Sequence, residues 1–213
     1  MRVYHHASIH TPGTGKVAVV GRGGETGGSY NFGVFLDGHG GGGEIKSVDG
    51  EITVVAQGGG FGETSQNNYG VDLWRGGSIH ASGSGSVSVS GTGAGGAVGN
   101  HHGVIIHGIS TAGKRSHVST AGGDVTVTGR GGGTGDASSN FGVFVSSNGL
   151  IASTGSGNVA VTGTSGQAGG ENQIGVAVNG EFATAQITSV DGKVTVVGRN
   201  RGNSSSGYGE GVE

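Results

Sequence analysis

The sequence contains no cysteine, so neither disulfides nor thiolate metal sites can hold the fold together, and the chain is compatible with secretion. No apolar run approaches the ~20 residues that a membrane-spanning helix needs, and we expect no membrane span. Charged residues make up 12% of the chain and its net charge is −3. Because this leaves no basic field to neutralise phosphates, we expect no nucleic-acid partner.

Hydrophobic residues are also scarce, at 31%, whereas 54 of the 213 residues are glycine. The core must therefore be thin and linear. Glycine-rich chains without a period are usually disordered, and collagen requires a strict Gly-X-Y period. Here the glycines stand at fixed offsets from alternating β-branched residues, which fits neither class.

A short Val-x-Val motif recurs along the whole chain. Its first apolar residues stand at positions 17, 52, 87, 125, 159 and 194, at intervals of 35, 35, 38, 34 and 35 residues. Periods in this range are typical of solenoids, propellers and other arrays. We therefore treat residues 1–213 as a single β-solenoid domain whose repeats start near these positions.

Each repeat carries two further strand motifs, Gly-Val-x-apolar and Ile-x-Ser/Thr/Ala. Three short strands separated by glycine corners predict an all-β parallel β-helix of about six coils of roughly 35 residues, in which each strand pairs with its counterpart one coil away. Since side chains alternate along a strand, one face of each strand points inward. The inward residues that we expect to be buried include Val125, Val127, Val143, Val145, Ile151, Val159, Val161, Val176, Val178 and Ile187.

A polar column precedes the Gly-Val strand in the complete repeats, and its members are amides or imidazoles. It predicts a structural ladder along one corner, because a buried polar group without a partner costs ~1 to 3 kcal/mol. We interpret the histidines at this corner as members of the ladder rather than as metal ligands. The ladder residues are Asn31, Asn68, His101, Asn140 and Gln173.

The combined pattern, seen for example from Asn140-Phe141-Gly142-Val143 through Thr162-Gly163, resembles the repeats of large secreted bacterial surface proteins of the filamentous-haemagglutinin and autotransporter-adhesin type. The resemblance covers essentially the whole chain, and its motifs are structural. It implies a right-handed β-helical fibre that is extracellular or attached to the cell surface and serves in adhesion, matrix or surface layers.

Binding is expected in the loops after the Gly-Val strand, because their lengths vary on a regular scaffold. Acidic residues, among them Asp37 and Asp72, fall at different positions of the repeat, which argues against the paired carboxylates of polysaccharide lyases and hydrolases. We expect no enzyme activity, no cofactor and no metal site. The candidate residues for binding a glycan or a host surface are Trp74, Arg75, His107, Lys114 and Arg115.

The two ends of the chain suggest end-to-end continuation. Gly211-Val212-Glu213 reads as the start of a Gly-Val strand, and in this alignment Met1 takes the apolar position of Leu36, Leu73 and Ile106. The expected contact residues are Met1, Val3 and Val212, within a homopolymer or a longer chain.

Three functions follow from these observations. The first is a structural or adhesive extracellular fibre protein, and the second is a glycan- or host-surface-binding adhesin module. The third, a polysaccharide lyase or hydrolase, stays open because the fold allows it.

Overall fold

A computed structural model describes residues 1–109, 114–202 and 211. These residues form eighteen short strands and no helix. The strands make three parallel sheets of six strands each, and strands that are hydrogen-bonded neighbours lie about one repeat apart in sequence. The predicted parallel β-solenoid of about six coils is confirmed. The right-handed sense stays a prediction, favoured by the strong bias of parallel crossover connections.

Each sheet collects one strand from every coil. Sheet A contains β1 (Arg2–Tyr4), β4 (Val34–Asp37), β7 (Val71–Trp74), β10 (Val104–His107), β13 (Val143–Ser146) and β16 (Val176–Asn179). Sheet B contains β2 (Ser8–His10), β5 (Glu44–Ser47), β8 (Ser78–Ala81), β11 (Ser116–Thr120), β14 (Gly149–Ser153) and β17 (Gln186–Ser189). Sheet C contains β3 (Val17–Arg22), β6 (Ile52–Gln57), β9 (Val87–Thr92), β12 (Val125–Arg130), β15 (Val159–Thr164) and β18 (Val194–Arg199).

The register stacks equivalent residues. On sheet C, for example, Val17 pairs with Ile52, and Ile52 pairs with Val87. Eight of the ten residues expected in the core are buried, but Val178 and Ile187 are only half-buried. These two lie on β16 and β17, which are the end strands of their sheets and therefore have a paired strand on one side only.

The ladder residues lie at the corner before sheet A. The side chains of Asn68, His101, Asn140 and Gln173 are fully buried, and that of Asn31 is half-buried. The backbone N–H of Asn31 donates to Asn68 Oδ1 at 2.7 Å, and that of His101 donates to Asn140 Oδ1 at 3.0 Å. The amides thus connect successive coils through the backbone rather than by bonding to one another.

His101 departs from this pattern. Neither of its ring nitrogens has a hydrogen-bond partner among the described residues. Burial lowers the pKa of His101, and the nearby backbone carbonyl of Ser65 only partly offsets this effect. The buried ring is therefore neutral near pH 7, and it fills space in the ladder without forming hydrogen bonds through its nitrogens.

Replacing Asn140 by leucine tests the ladder. The substitution removes the acceptor for His101 N–H and the donor that bonds Ala137 O at 2.9 Å. We expect the free energy of unfolding to fall by about 1 to 3 kcal/mol, because buried backbone groups lose their partners. The control Asn158→Leu removes an amide that also accepts a backbone N–H of the next coil, from Lys193 at 3.0 Å, but this amide is exposed, so water can replace its bonds and the cost should be no more than about 0.5 kcal/mol. Equal losses in urea denaturation would contradict a special role for the buried column.

The register corrects the alignment of the N-terminal residues. Val3, not Met1, pairs with Leu36, and Val3 is buried whereas Met1 is exposed. The length of the corner between sheets A and B explains why Val3 rather than Met1 takes this position. Ile79 follows Leu73 by six residues, and Ile9 follows Val3 by six residues as well. A shift of two residues keeps the inward face, so side-chain alternation could not reveal the error.

The other predicted end residue, Val212, lies outside the described residues. End-to-end association stays a prediction. Among the described residues, no helix has the length and apolar character needed to cross a membrane.

Candidate binding groove on sheet A

The outward side chains of sheet A form a groove along the solenoid axis, which we call the sheet A groove. Its floor is the column of outward residues that lies between the two core columns of the sheet. The register places in this column Arg2, Phe35, Asp72, Ile105, Phe144 and Ala177. Two further columns flank it, one contributed by the residues just before the strands and one by the last residues of the strands.

The first wall is a continuous stack of rings. Phe32 stacks on Tyr69 at 5.4 Å between ring centroids, Tyr69 on His102 at 4.9 Å, and His102 on Phe141 at 4.9 Å. These distances match the ~4.8 Å spacing of neighbouring strands, so one ring per coil fills the wall without a gap.

His102 belongs to this stack as a neutral ring. Burial, reinforced by the neighbouring histidines, lowers its pKa to about 3. The backbone N–H of Phe141 donates to His102 Nδ1 at 3.2 Å, which fixes Nδ1 as the unprotonated nitrogen. The imidazole therefore substitutes for an aromatic side chain, and it is not available as a titrating group near pH 7.

The second wall contains Trp74 and His107, which lie on neighbouring strands with ring centroids 6.1 Å apart and nearly parallel planes. The Arg75 guanidinium covers the Trp74 ring at 3.7 Å and makes two hydrogen bonds to Asp37, at 3.1 and 2.6 Å. Burial alone would raise the pKa of Asp37, but the bonds from Arg75 and from the backbone of His39 outweigh it, and the pKa is lowered. The Arg75 guanidinium thus packs on the indole of Trp74, and the carboxylate of Asp37 neutralises the charge of Arg75.

Between the walls lies a cleft of about 360 Å³, the proximal cleft. Five aromatic side chains contribute to it, together with one carboxylate, one imidazole and one guanidinium. Its lining residues are Arg2, Tyr30, Phe32, Phe35, Tyr69, Asp72, Trp74 and His107. Such a combination of apolar surface and a few polar groups is typical of small-molecule sites.

Asp72 supplies the buried polar group of the proximal cleft. Its Oδ1 lies 2.9 Å from Nε2 of His107. Burial raises the pKa of Asp72, the bond to His107 opposes this rise, and the charge of Asp37 adds to it. No hydrogen bond among the described residues engages the second oxygen, Oδ2. This oxygen can accept a hydrogen bond from a ligand, because Asp72 lines the cleft.

A second cleft of about 400 Å³, the distal cleft, lies further along the same face. Phe144 forms its floor and meets Phe141 edge to face, with ring centroids 4.9 Å apart and an interplanar angle of 82°. Its lining residues are Phe141, Phe144, Ala177, Val178, Asn179, Gly180 and Glu181.

The structure brings together three of the five residues predicted to bind a ligand, namely Trp74, Arg75 and His107. Lys114 donates to the carbonyl of Gly38 at 3.1 Å, and Arg115 donates to Gln186 Oε1 on β17 at 2.6 Å. Neither residue lines the two clefts. In the loop expected to bind between His107 and Ser116, residues 110–113 lie outside the described residues.

The sequence reasoning missed Phe32, Tyr69 and Asp72 as site residues. The signal for Phe32 and Tyr69 was available, because a ring directly follows the ladder residue in four successive repeats. Asp72 carried no such signal, since it stands opposite the unlike residue Phe35 in its column. Binding was expected in variable loops, whereas the groove is built chiefly from the strands and the residues just before them. The register also places Asp37 and Asp72 on neighbouring strands of one face, although their positions in the repeat differ.

Within the described part of the chain, no group of three or more His, Asp or Glu side chains is arranged to hold a metal ion. Comparison with protein-family models, with curated proteins and with solved structures found no match. The fold defines a parallel β-solenoid repeat protein, and the outer face of sheet A carries an aromatic groove.

Proposed function

We propose that the chain is an adhesive segment of an extracellular surface protein whose sheet A groove binds a glycan. The observation that supports this function best is the proximal cleft, where aromatic rings surround Asp72. Sugars present apolar C–H faces and hydroxyl groups together. The ring faces in the walls are stacked on one another, so their edges can pack against the C–H faces, while Asp72 and His107 can bond the hydroxyls.

The solenoid suits this role because it places the site on rigid strands. A binding site built on strands keeps its geometry better than one built on loops. The extracellular setting is supported by the resemblance to secreted surface repeats, and the absence of cysteine is compatible with it.

A polysaccharide lyase or hydrolase is less well supported. Glycoside hydrolysis usually needs two carboxyl groups that flank the scissile bond. Asp37 is the acidic residue on the neighbouring strand, but both of its oxygens are bonded to Arg75. We therefore propose binding without catalysis.

The Trp74→Ala substitution tests the proposed function on a glycan array that includes fragments of cellulose, xylan, mannan, chitin and pectin. We expect the unsubstituted chain to bind one or more of these glycans. We expect Trp74→Ala to bind about tenfold more weakly, because it removes the apolar surface of the indole from the cleft wall, and loss of about 55 Å² of contact costs about 1.4 kcal/mol.

Phe61→Ala is the matched control, since Phe61 is an exposed aromatic residue outside both clefts. It should leave the affinity unchanged. Trp74→Phe separates folding from binding, because it keeps an aromatic ring in the wall and should retain part of the affinity. Absence of any glycan binding by the folded, unsubstituted chain would refute the proposed function.

A further inference from the structure

The two clefts lie on the same face of sheet A, and this placement limits the shape of the ligand. The proximal cleft lies on β4, β7 and β10, which contribute Phe35, Asp72 and His107 in that order. The distal cleft lies on β13 and β16. Since β10 pairs with β13, the two clefts are adjacent. Ile105, which is 5% exposed, is the floor residue at the junction, and its side chain is apolar.

We propose that the ligand is an unbranched polysaccharide that runs along the solenoid axis and occupies both clefts. This inference rests on the proposed function. The six strands of sheet A span five intervals, which gives a groove of about 24 Å at ~4.8 Å per strand. A single sugar ring would fill one cleft and leave the other empty.

Both clefts carry the same two kinds of contact. Phe144 provides aromatic floor in the distal cleft, and Tyr30 and Trp74 provide aromatic surface in the proximal cleft, where Phe35 is 5% exposed and lies beneath the Arg2 guanidinium. Asp72 provides a hydroxyl acceptor in the first, and Asn179 and Glu181 provide polar groups at the edge of the second. A chain that repeats sugar units along the axis presents C–H faces and hydroxyls to both clefts.

An extended peptide fits this face less well. Peptides that add to a sheet bind through the free backbone groups of an edge strand. The groove instead lies on the face of sheet A, where the backbone groups of β4, β7, β10 and β13 are already paired with strands on both sides. The face offers only side-chain contacts, and these are aromatic rings and hydroxyl partners.

The test compares oligosaccharides graded from disaccharide to octasaccharide, prepared from the same glycans as the array, with affinities measured by titration calorimetry. We expect affinity to rise at least tenfold with length until both clefts are filled. Phe144→Ala should weaken binding of the octasaccharide about tenfold and leave binding of the disaccharide unchanged, because we place the disaccharide in the proximal cleft beside Trp74 and Asp72.

Glu181→Ala provides a second variant of the distal cleft. Glu181 is exposed and lies outside the core, so this substitution should not affect folding. It should weaken the octasaccharide selectively, although less than Phe144→Ala. The two proposals fail in different ways. Binding that does not depend on length, or that is indifferent to both distal substitutions, would overturn the polysaccharide inference and leave glycan binding intact. No binding at any length would refute both.

Discussion

We expect the Val161→Asp substitution to lower the melting temperature sharply and to remove hydrogen-exchange protection from β12, β15 and β18. Val161 is buried and pairs with Val127 on one side and Val196 on the other. A carboxylate at this position would lie between two apolar side chains without a partner. Burying an unpaired charge costs several kcal/mol, so we expect a loss of about 3 to 5 kcal/mol.

The matched control is Thr162→Asp, which places the same charge one residue further along β15. Thr162 points outward and is only half-buried, so its carboxylate stays hydrated. We expect the control to change stability by no more than about 0.5 kcal/mol. If Val161→Asp melted like Thr162→Asp, the inward register of sheet C would be wrong.

The second large effect is expected for Gly142→Ala, because two parts of the backbone approach this glycine closely. A Cβ atom there would lie 2.5 Å from the carbonyl oxygen of Gly175 and 2.7 Å from the carbonyl carbon of Gly163. It would also clash with the backbone nitrogen of Thr164. Since these are backbone atoms of β15 and of the residue just before β16, no side-chain rotation relieves the overlap, and we expect a loss of about 3 kcal/mol or more.

Gly13→Ala is the control for this substitution, because no atom lies within 4 Å of the Cβ position at Gly13. Chemical denaturation of the two variants should separate a steric cost from the general effect of replacing glycine. Similar stabilities of the two variants would contradict the close approach of sheets A and C at Gly142.

The core could be predicted from the sequence because its chemistry repeats. Burial demands an apolar side chain at each inward position, so Val17, Ile52 and Val87 mark the same column in successive repeats. The register follows directly once these residues are aligned. The predicted register differs from the structure at the N-terminal strand, since placing Met1 or Val3 opposite Leu36 preserves the same inward face.

The floor of the groove was harder to predict than its ring wall, because the chemistry of the floor does not repeat. The floor changes from Phe35 to Asp72 and then to Ile105, so no periodic signal marks it. Outward positions are free to vary as long as the inward face is kept. The groove can be recognised only when its floor column and the two flanking columns are placed next to one another. This requires the register of the whole sheet as well as the side-chain pattern of each strand.

Fluorescence titration of Trp74 tests the central claim that the sheet A groove binds a glycan. Trp74 is the only tryptophan of the sequence and lines the proximal cleft, so its emission reports on this site without a label. We expect a saturable change in emission on addition of the array-selected oligosaccharide, with the midpoint found by calorimetry. The change should be weakened by Tyr69→Ala and unaffected by Phe61→Ala. Glycan binding seen by calorimetry with no change in Trp74 emission would place the ligand elsewhere and contradict the groove as the site.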